Sequence, residues 1–191
     1  MAYTKHETAI IEDGTSIGDG TRIGPFCTIH KDAVIGGDCT FGQNVHVGDC
    51  VKIGNHCKIQ NNASIFEGVV LEDYVFCGPA CCFANDATPR SKYPKGDLSC
   101  ERTIVREGAS IGANATIIMG NPIGRYAMVG AGAVVTRRVP AHALMIGIPA
   151  RQTGWVCECG MQLNKALLCE TCGRQYEYLP DDEGLRKTRM K

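Results

Sequence analysis

The chain has 191 residues, enough for one well-buried domain and a small appendage but not for two large domains. Its 20 Lys and Arg residues balance 20 Asp and Glu residues, which excludes a strong overall attraction to nucleic acid or to an anionic membrane. No apolar stretch approaches membrane-spanning length, and the start lacks the residue order of a signal peptide. We therefore expect a cytoplasmic protein without nucleic-acid or membrane partners.

A six-residue repeat dominates the first half of the chain. From Ile11 to Phe83 every sixth residue is apolar, and a small or β-branched residue stands four places after each of them. This period belongs neither to a helix nor to a simple strand, and its persistence predicts an all-β solenoid. Three hexapeptides would close one triangular coil of eighteen residues with the large residues inside.

The repeat is interrupted once. It stops at Phe83 and resumes at Val105, twenty-two residues later, which is not a multiple of six. Residues 84–104 are therefore predicted to leave the solenoid as an extruded loop, and loops of this size are commonly functional. The resumed repeat places Val139 at the last small-residue position.

Residues eighteen apart should stack in successive coils, so the sequence predicts columns of side chains. Asn85 is expected above Glu67, and Glu67 above Asp49, all pointing outward. Asn44 and Asn62 form a second predicted column. We expect these two polar columns to converge where the loop leaves.

After the repeats, residues 156–178 carry a cluster of cysteines in a short segment. A thiol cluster of this kind predicts a structural zinc site, and a metal-free redox-active thiol cluster is the alternative. The predicted ligands are Cys157, Cys159, Cys169 and Cys172. The last residues, 179–191, are polar and are expected to be a mobile tail.

The runs IGDGTRIGPFCTI and IGANATIIMGNPIGRYAMVGAG resemble those of the hexapeptide-repeat acyltransferases. The resemblance implies a left-handed parallel β-helix over residues 1–155 and a homotrimer with active sites between subunits. The stretch KIQNNASIFEGVVLEDYVFCGPACCFANDATPRS is similar to bacterial N-acetyltransferases of nucleotide-linked 3-amino sugars. Those include the UDP-2-acetamido-3-amino-2,3-dideoxyglucuronate and dTDP-3-amino-dideoxyhexose enzymes.

The same resemblance implies roles for residues around the loop. Asn85 matches the active-site asparagine, and Glu67 is a candidate proton acceptor or substrate orienter. Arg90 and Lys92 are expected to bind the diphosphate of the substrate, and Asn62 is expected to contact the sugar nucleotide. A turn-forming role for Asn85 and solvated roles for Glu67 and Arg90 are the structural alternatives.

Acetyl-CoA is the cosubstrate that the resemblance implies. Ala113 and Ala131 would flank the pantetheine arm, and Arg137 and Arg151 would bind the phosphates of its nucleotide end. Arg138 stands where relatives have an acid, so this region is more positive than the family pattern.

Taken together, the motifs predict an acetyl-CoA-dependent N-acetyltransferase acting on the 3-amino group of a UDP- or dTDP-linked sugar for bacterial surface glycans. The loop contains no histidine, which favours an amine over a hydroxyl acceptor because a hydroxyl needs a base. An O-acetyltransferase of the same fold and a non-catalytic scaffold with a zinc knuckle are the alternatives. A γ-type carbonic anhydrase is excluded because His46 and His56 lack a suitably spaced third histidine.

Overall fold

The structure, a computed structural model, describes residues 2–93 and 101–188. Its regular structure consists almost entirely of parallel β-strands, most of them two residues long. None of the described residues forms a helix that is long and apolar enough to cross a membrane.

Three sheets form the faces of a triangular prism, and the chain visits them in turn as faces A, B and C. Face A contains β1 (Thr4–Lys5), β4 (Arg22–Ile23), β7 (Thr40–Phe41), β10 (Lys58–Ile59), β13 (Phe76–Cys77), β16 (Ser110–Ile111), β18 (Met128–Val129), β20 (Ala143–Ile146) and, antiparallel to β20, β21 (Arg151–Trp155). Face B contains β2 (Ile10–Ile11), β5 (Thr28–Ile29), β8 (His46–Val47), β11 (Ser64–Ile65), β14 (Cys82–Phe83), β17 (Thr116–Ile117) and β19 (Val134–Val135). Face C contains β3 (Ser16–Ile17), β6 (Val34–Ile35), β9 (Lys52–Ile53), β12 (Val69–Leu71) and β15 (Thr103–Val105), and single bridges at Ile123 and Val139 extend it.

The core is the column of large apolar residues that the repeat predicted. Ile29, Ile59 and Phe83 are completely buried, and small residues such as Ala63 fill the space beside them. Partner strands are eighteen residues apart, as in Ile11 and Ile29. The predicted parallel β-helix is therefore confirmed, and its left-handed sense is that of the family it resembles.

Three corners join the faces, and we name them AB, BC and CA after the faces that they connect. A residue at each corner adopts a left-handed backbone conformation, for example Asn62 (φ 62°) at corner AB and Tyr74 (φ 59°) at corner CA. Asn adopts this conformation more readily than most residues, which explains its frequency at these corners.

The extruded loop leaves at corner BC. Phe83 pairs with Ile117, 34 residues later instead of 18, so the coil that contains the loop is longer than the others by 16 residues. The predicted end of the loop was wrong, because Thr103 already pairs with Val69 in β15. The side chain of Thr103 is buried, so this residue packs inward as part of the strand. Residues 94–100 of the predicted loop lie outside the described residues.

The last coil is shorter than the repeat predicts. Ile123 bridges Val139, and Val129 pairs with Met145, so these partners are 16 residues apart. Val139 was predicted at the small-residue position of a corner, but it points inward as a buried core residue. The corner before it is two residues shorter than the others, which brings the chain back to face C early.

The predicted mobile tail is wrong for the part of the tail that the structure describes. Strands β22 (Tyr176–Tyr178) and β23 (Leu185–Lys187) form an antiparallel hairpin around a 3-10 turn at Pro180–Asp182. We call residues 176–187 the tail hairpin. Leu185 and Tyr176 are buried in a second small core with Cys157 and Cys169, and this burial holds the segment in place. Residues 189–191 lie outside the described residues.

Candidate functional site

Asn85 is the first residue to leave the β-helix. The N–H of Ala84 still donates to the carbonyl of Ile117, at 2.9 Å, and the chain then turns away from the ladder. Ile65 pairs with Phe83, so Glu67 lies one coil below Asn85 at the same place in the coil, about 4.8 Å along the axis. Asn85 and Glu67 are both half-buried. The two residues that the sequence singled out thus lie in successive coils at corner BC, where the loop begins.

The second predicted column forms, but at a different corner. The amide of Asn44 donates to the side-chain oxygen of Asn62, at 2.9 Å. Both residues precede a face B strand, whereas Glu67 follows one, so the columns lie at opposite edges of face B and do not converge. Five residues of extended chain separate Asn62 from Glu67, about 16 Å. Asn62 also has a structural role, because it takes the left-handed conformation of corner AB.

The described start of the loop is a series of tight turns. Asp86 accepts a hydrogen bond from the N–H of Thr88, at 2.8 Å, and the N–H of Tyr93 donates to the carbonyl of Arg90, at 3.0 Å. Arg90 and Lys92 are exposed, and the ammonium of Lys92 lies 5.8 Å from the ring centroid of Tyr93. These two cations are therefore available to an anionic ligand.

A ring cluster on face B was missed by the sequence analysis. The imidazoles of His30 and His46 have centroids 4.8 Å apart, and His46 lies 4.9 Å from the ring of Phe66. Gly48 stands between His30 and Phe66 in the same column, where a side chain would meet the backbone of Phe66 and Glu67. Burial lowers the pKa of His46, and the neighbouring His30 lowers it further. The eighteen-residue spacing of positions 30, 48 and 66 was the signal that could have revealed this cluster.

The residues predicted to bind the cosubstrate divide between two corners. Ala113 and Ala131 are stacked at corner AB, where the carbonyl of Ala113 accepts the N–H of Gly132 at 2.8 Å. Arg151 begins β21 beside Ile146, at the corner AB end of face A. Arg137 lies across face B at corner BC. Three of the four predicted residues are thus close to one another.

The four cysteines after the repeats converge. Their sulfur atoms all lie within 4.8 Å of one another, and the closest pair, Cys157 and Cys172, is 3.4 Å apart. A tetrahedral zinc with bonds of about 2.3 Å to sulfur would require separations of about 3.8 Å. The N–H of Arg174 lowers the pKa of the Cys172 thiol to about 6, which favours a thiolate ligand. The donor set therefore fits a closed zinc site.

One aromatic residue attaches this cluster to the β-helix. The hydroxyl of Tyr176 lies 3.1 Å from the sulfur of Cys157 and accepts the N–H of Glu158 at 3.0 Å. The ring of Tyr176 packs on buried His142, which belongs to the last corner CA. The cysteine segment is therefore continuous with the end of the prism.

Comparison with known families finds two matches within the repeats. Residues 32–67 match the bacterial transferase hexapeptide (six repeats), and residues 102–137 match the hexapeptide repeat of succinyl-transferase. The two segments lie on either side of the extruded loop.

One curated relative is a dTDP-3-amino-3,6-dideoxy-α-D-galactopyranose 3-N-acetyltransferase from Aneurinibacillus thermoaerophilus. It is 55% identical over 80 residues, which is 40% of this chain and 41% of the relative. The chain therefore spans less than half of this relative's length.

Two solved structures share the fold. A UDP-N-acetylglucosamine acyltransferase from Bacteroides fragilis has a TM-score of 0.68 at 17% identity over 80% of this chain and 61% of its own. A GDP-perosamine N-acetyltransferase from Caulobacter crescentus, solved with CoA and GDP-perosamine, has a TM-score of 0.55 at 24% identity over 80% of this chain and 58% of its own. The repeats, the prism and these matches together show that the chain has the β-helix fold of hexapeptide-repeat proteins.

Proposed function

We propose that this protein is an acetyl-CoA-dependent N-acetyltransferase that modifies the 3-amino group of a UDP- or dTDP-linked sugar for bacterial surface glycans. The observation that carries the proposal is the 55% identity over 80 residues with an enzyme named for 3-N-acetylation of a dTDP-linked 3-amino sugar. The position of Asn85 one coil above Glu67 where the loop begins supports it, because amide and carboxylate groups suit a sugar amine.

In the proposed reaction, the unprotonated amine attacks the carbonyl carbon of the thioester. A carbon–nitrogen bond forms, the carbon–sulfur bond breaks, and the proton that the amine loses reaches the departing thiolate directly or through Glu67. Asn85 would hold the amine or the thioester by a hydrogen bond. Arg90 and Lys92 would bind the diphosphate through charge-assisted hydrogen bonds, and Asn62 would contact the substrate.

A hydroxyl acceptor is the alternative in the same fold. It would need a base to remove its proton, and residues 84–104 contain no histidine. His46 has a lowered pKa and is neutral near pH 7, but it lies on face B two strands below β14. This distance favours the amine, which is already partly unprotonated near neutral pH.

We further propose a homotrimer with sites between subunits. Asn62, Ala113, Ala131 and Arg151 lie at corner AB, whereas Glu67, Asn85 and Arg137 lie at corner BC. One chain alone keeps these groups about 16 Å apart across face B. A neighbouring copy whose corner AB faced corner BC of the first would bring the acetyl-CoA and sugar groups together.

The surface of face B supports close packing of copies. Interface centres are depleted in charged residues, and a flat uncharged face suits such a contact. None of the outward residues on the described strands of face B is Lys, Arg, Asp or Glu; they are Ile10, Thr28, His46, Ser64, Cys82, Thr116 and Val134.

The cysteine cluster is proposed to hold one structural zinc. Four sulfur ligands close the coordination shell, so the ion would stabilise the segment rather than take part in acetyl transfer. Reduced thiols are required, which fits a cytoplasmic location, where acetyl-CoA is also available.

The experiment that tests the function is acetyl transfer from acetyl-CoA to UDP- and dTDP-linked 3-amino sugars. Each sugar is paired with its 3-hydroxyl counterpart, and the product is identified by mass and by nuclear magnetic resonance. An amide formed at C3 of one amino sugar supports the proposal and names the nucleotide. An ester formed from the hydroxyl sugar alone would replace it with O-acetylation, and no product from any sugar would favour a scaffold.

A further inference from the structure

Two adjoining cavities lie between the tail hairpin and the last coil, and none of their lining residues is one of the four clustered cysteines. The first, the aromatic cavity, has a volume of about 400 Å³ and is lined by Pro140, Gln152, Trp155, Tyr178 and Leu179. The second, the arginine cavity, has a volume of about 410 Å³ and includes Arg106, Arg125, Arg138, Leu179 and Glu183. Leu179 lines both, so the two cavities adjoin at this residue.

The aromatic cavity suits a flat ring. Trp155 and Tyr178 meet edge to face with centroids 5.9 Å apart, and Tyr178 is 66% exposed. The free face of Tyr178 can stack on a nucleobase, because offset stacking is a favoured arrangement of aromatic rings. The amide of Gln152 can both donate and accept hydrogen bonds at the edge of such a base.

The arginine cavity suits phosphate. Arg106 and Arg125 are held by Glu72 and Glu107, each at 2.6 Å, whereas Arg138 meets Glu183 at 3.5 Å. Both members of the last pair are more than half exposed, so their ion pair contributes little and the Arg138 guanidinium can turn to a ligand at small cost. Glu183 is the one acidic group among the lining residues, and it opposes an anion.

We propose that the two cavities together bind an adenosine phosphate, with the base against Tyr178 and Trp155 and the phosphates against Arg138. This ligand chemistry has two sources, the nucleotide end of CoA and a free nucleotide. Only the first source rests on the proposed acetyl transfer, and it would give the CoA phosphates to Arg138 in place of Arg137 and Arg151. None of the lining residues belongs to the predicted site.

The tail hairpin contributes lining residues to both cavities. The N–H of Ala141 donates to the carbonyl of Glu183 at 2.9 Å, and the N–H of Leu185 donates to the carbonyl of Ala141 at 3.1 Å. Gly184 lies against the backbone of Ala141 with no room for a side chain. These contacts hold Leu179 and Glu183 over the last coil, so both cavities depend on the hairpin.

Trp155 is the single tryptophan of the chain, so its fluorescence reports on the aromatic cavity directly. The full-length protein is titrated with adenosine 3′,5′-bisphosphate, ATP, CoA, pantetheine and adenosine, with excitation at the red edge of the tryptophan band. We expect saturable quenching by the adenosine phosphates and none by pantetheine. Equal affinity for CoA and the bisphosphate with little for ATP would identify the nucleotide end of CoA; tighter binding of ATP would identify a free nucleotide.

Variants distinguish quenching caused by binding at this site from nonspecific quenching of Trp155. Arg138→Ala should weaken binding of the phosphates about tenfold and leave adenosine unaffected, whereas Glu183→Gln should tighten it. Arg186→Ala is the matched control, because Arg186 is on the same hairpin but pairs with Glu177 outside both cavities. The proposal fails if no adenosine phosphate quenches saturably, or if Arg138→Ala and Arg186→Ala behave alike.

Discussion

The imidazole of His142 packs against the ring of Tyr176, with centroids 4.8 Å apart, and its Nδ1 lies 2.9 Å from the carbonyl of Val156. His142 lies at the last corner CA of the β-helix, directly before β20, and Tyr176 belongs to the cysteine segment. The contact therefore joins the repeat domain to the segment that follows it, and it buries a titratable ring at the junction.

Stability should fall in acid because of this ring. Burial lowers the pKa of His142 below its ordinary value, so the unfolded chain takes up a proton more readily than the folded one. The free energy of unfolding should therefore decrease as the pH falls below about 6.5, by at most about 1.4 kcal/mol per pH unit for this group. Urea denaturation at a series of pH values measures the slope.

His142→Gln removes the titrating ring and should flatten that slope, even if the variant is less stable at every pH. His46 titrates in the same direction, so part of the slope should remain. His6→Gln, at an exposed position near the start of the chain, is the control. Identical slopes for the wild type and His142→Gln would contradict the assignment.

Two glycines with the same backbone conformation should respond differently to alanine. Gly108 (φ 70°) lies under the ring of Tyr126, whereas at Gly132 (φ 68°) no atom of the described residues lies within 4 Å of the place that an alanine methyl group would occupy. Gly132→Ala should cost about 1 kcal/mol from the left-handed conformation alone. Gly108→Ala should cost about 1–3 kcal/mol more, because the methyl displaces the ring. Equal losses in thermal or urea denaturation would show that Tyr126 moves freely.

The purified protein should contain about one zinc per chain, measured by inductively coupled plasma mass spectrometry. Cys169→Ser should lose the metal, because Cys169 is a buried member of the cluster. Cys50→Ser, at an exposed position on the β-helix, should retain it. Full zinc occupancy in Cys169→Ser would rule out the four-sulfur site.

Loss of the metal should affect one part of the molecule. Hydrogen exchange in Cys169→Ser should lose protection in residues 156–187, since the second core is built around Cys157 and Cys169. The strands of the main core should keep their protection. Uniform loss across both regions would indicate that the segment is needed for the whole fold.

Asn85→Ala should lower turnover by about 10- to 100-fold while the circular dichroism and melting temperature stay near those of the wild type. The predicted loss follows from removing a hydrogen bond at the reacting groups. Asn55→Ala is the matched control: Asn55 accepts the N–H of Gly37 at corner CA, away from the loop. Wild-type turnover in Asn85→Ala would end the proposed role.

The periodic part of the fold could be predicted from the sequence because each repeat imposes the same requirement. A large residue at Ile29 or Ile59 must point inward, and eighteen residues return the chain to the same face. The spacing fixes height along the axis, but the corner depends on the position within the coil. Asn62 and Glu67 have similar heights along the axis but lie at corners AB and BC. The prediction used height alone, so it placed these two residues close together.

Departures from the repeat were not predictable in the same way. The early return at Val139 depends on how tightly residues 136–138 turn, and no local pattern signals it. The tail hairpin depends on contacts between residues distant in sequence, such as Leu185 with the backbone of Ala141. The polar composition of residues 179–191 concealed Leu185, which is buried in the second core.

Complementation between copies of the chain is the decisive measurement for a site formed between subunits. In the proposed site, Asn85→Ala should disable corner BC, and Ala131→Trp should block the path expected for acetyl-CoA at corner AB. Each variant alone should have at most about a tenth of the wild-type activity. Differently tagged copies of the two, expressed together and purified as mixed oligomers, should recover amine-dependent release of CoA, because some sites then combine two intact corners. Mixed oligomers no more active than either variant alone would contradict a site formed between subunits.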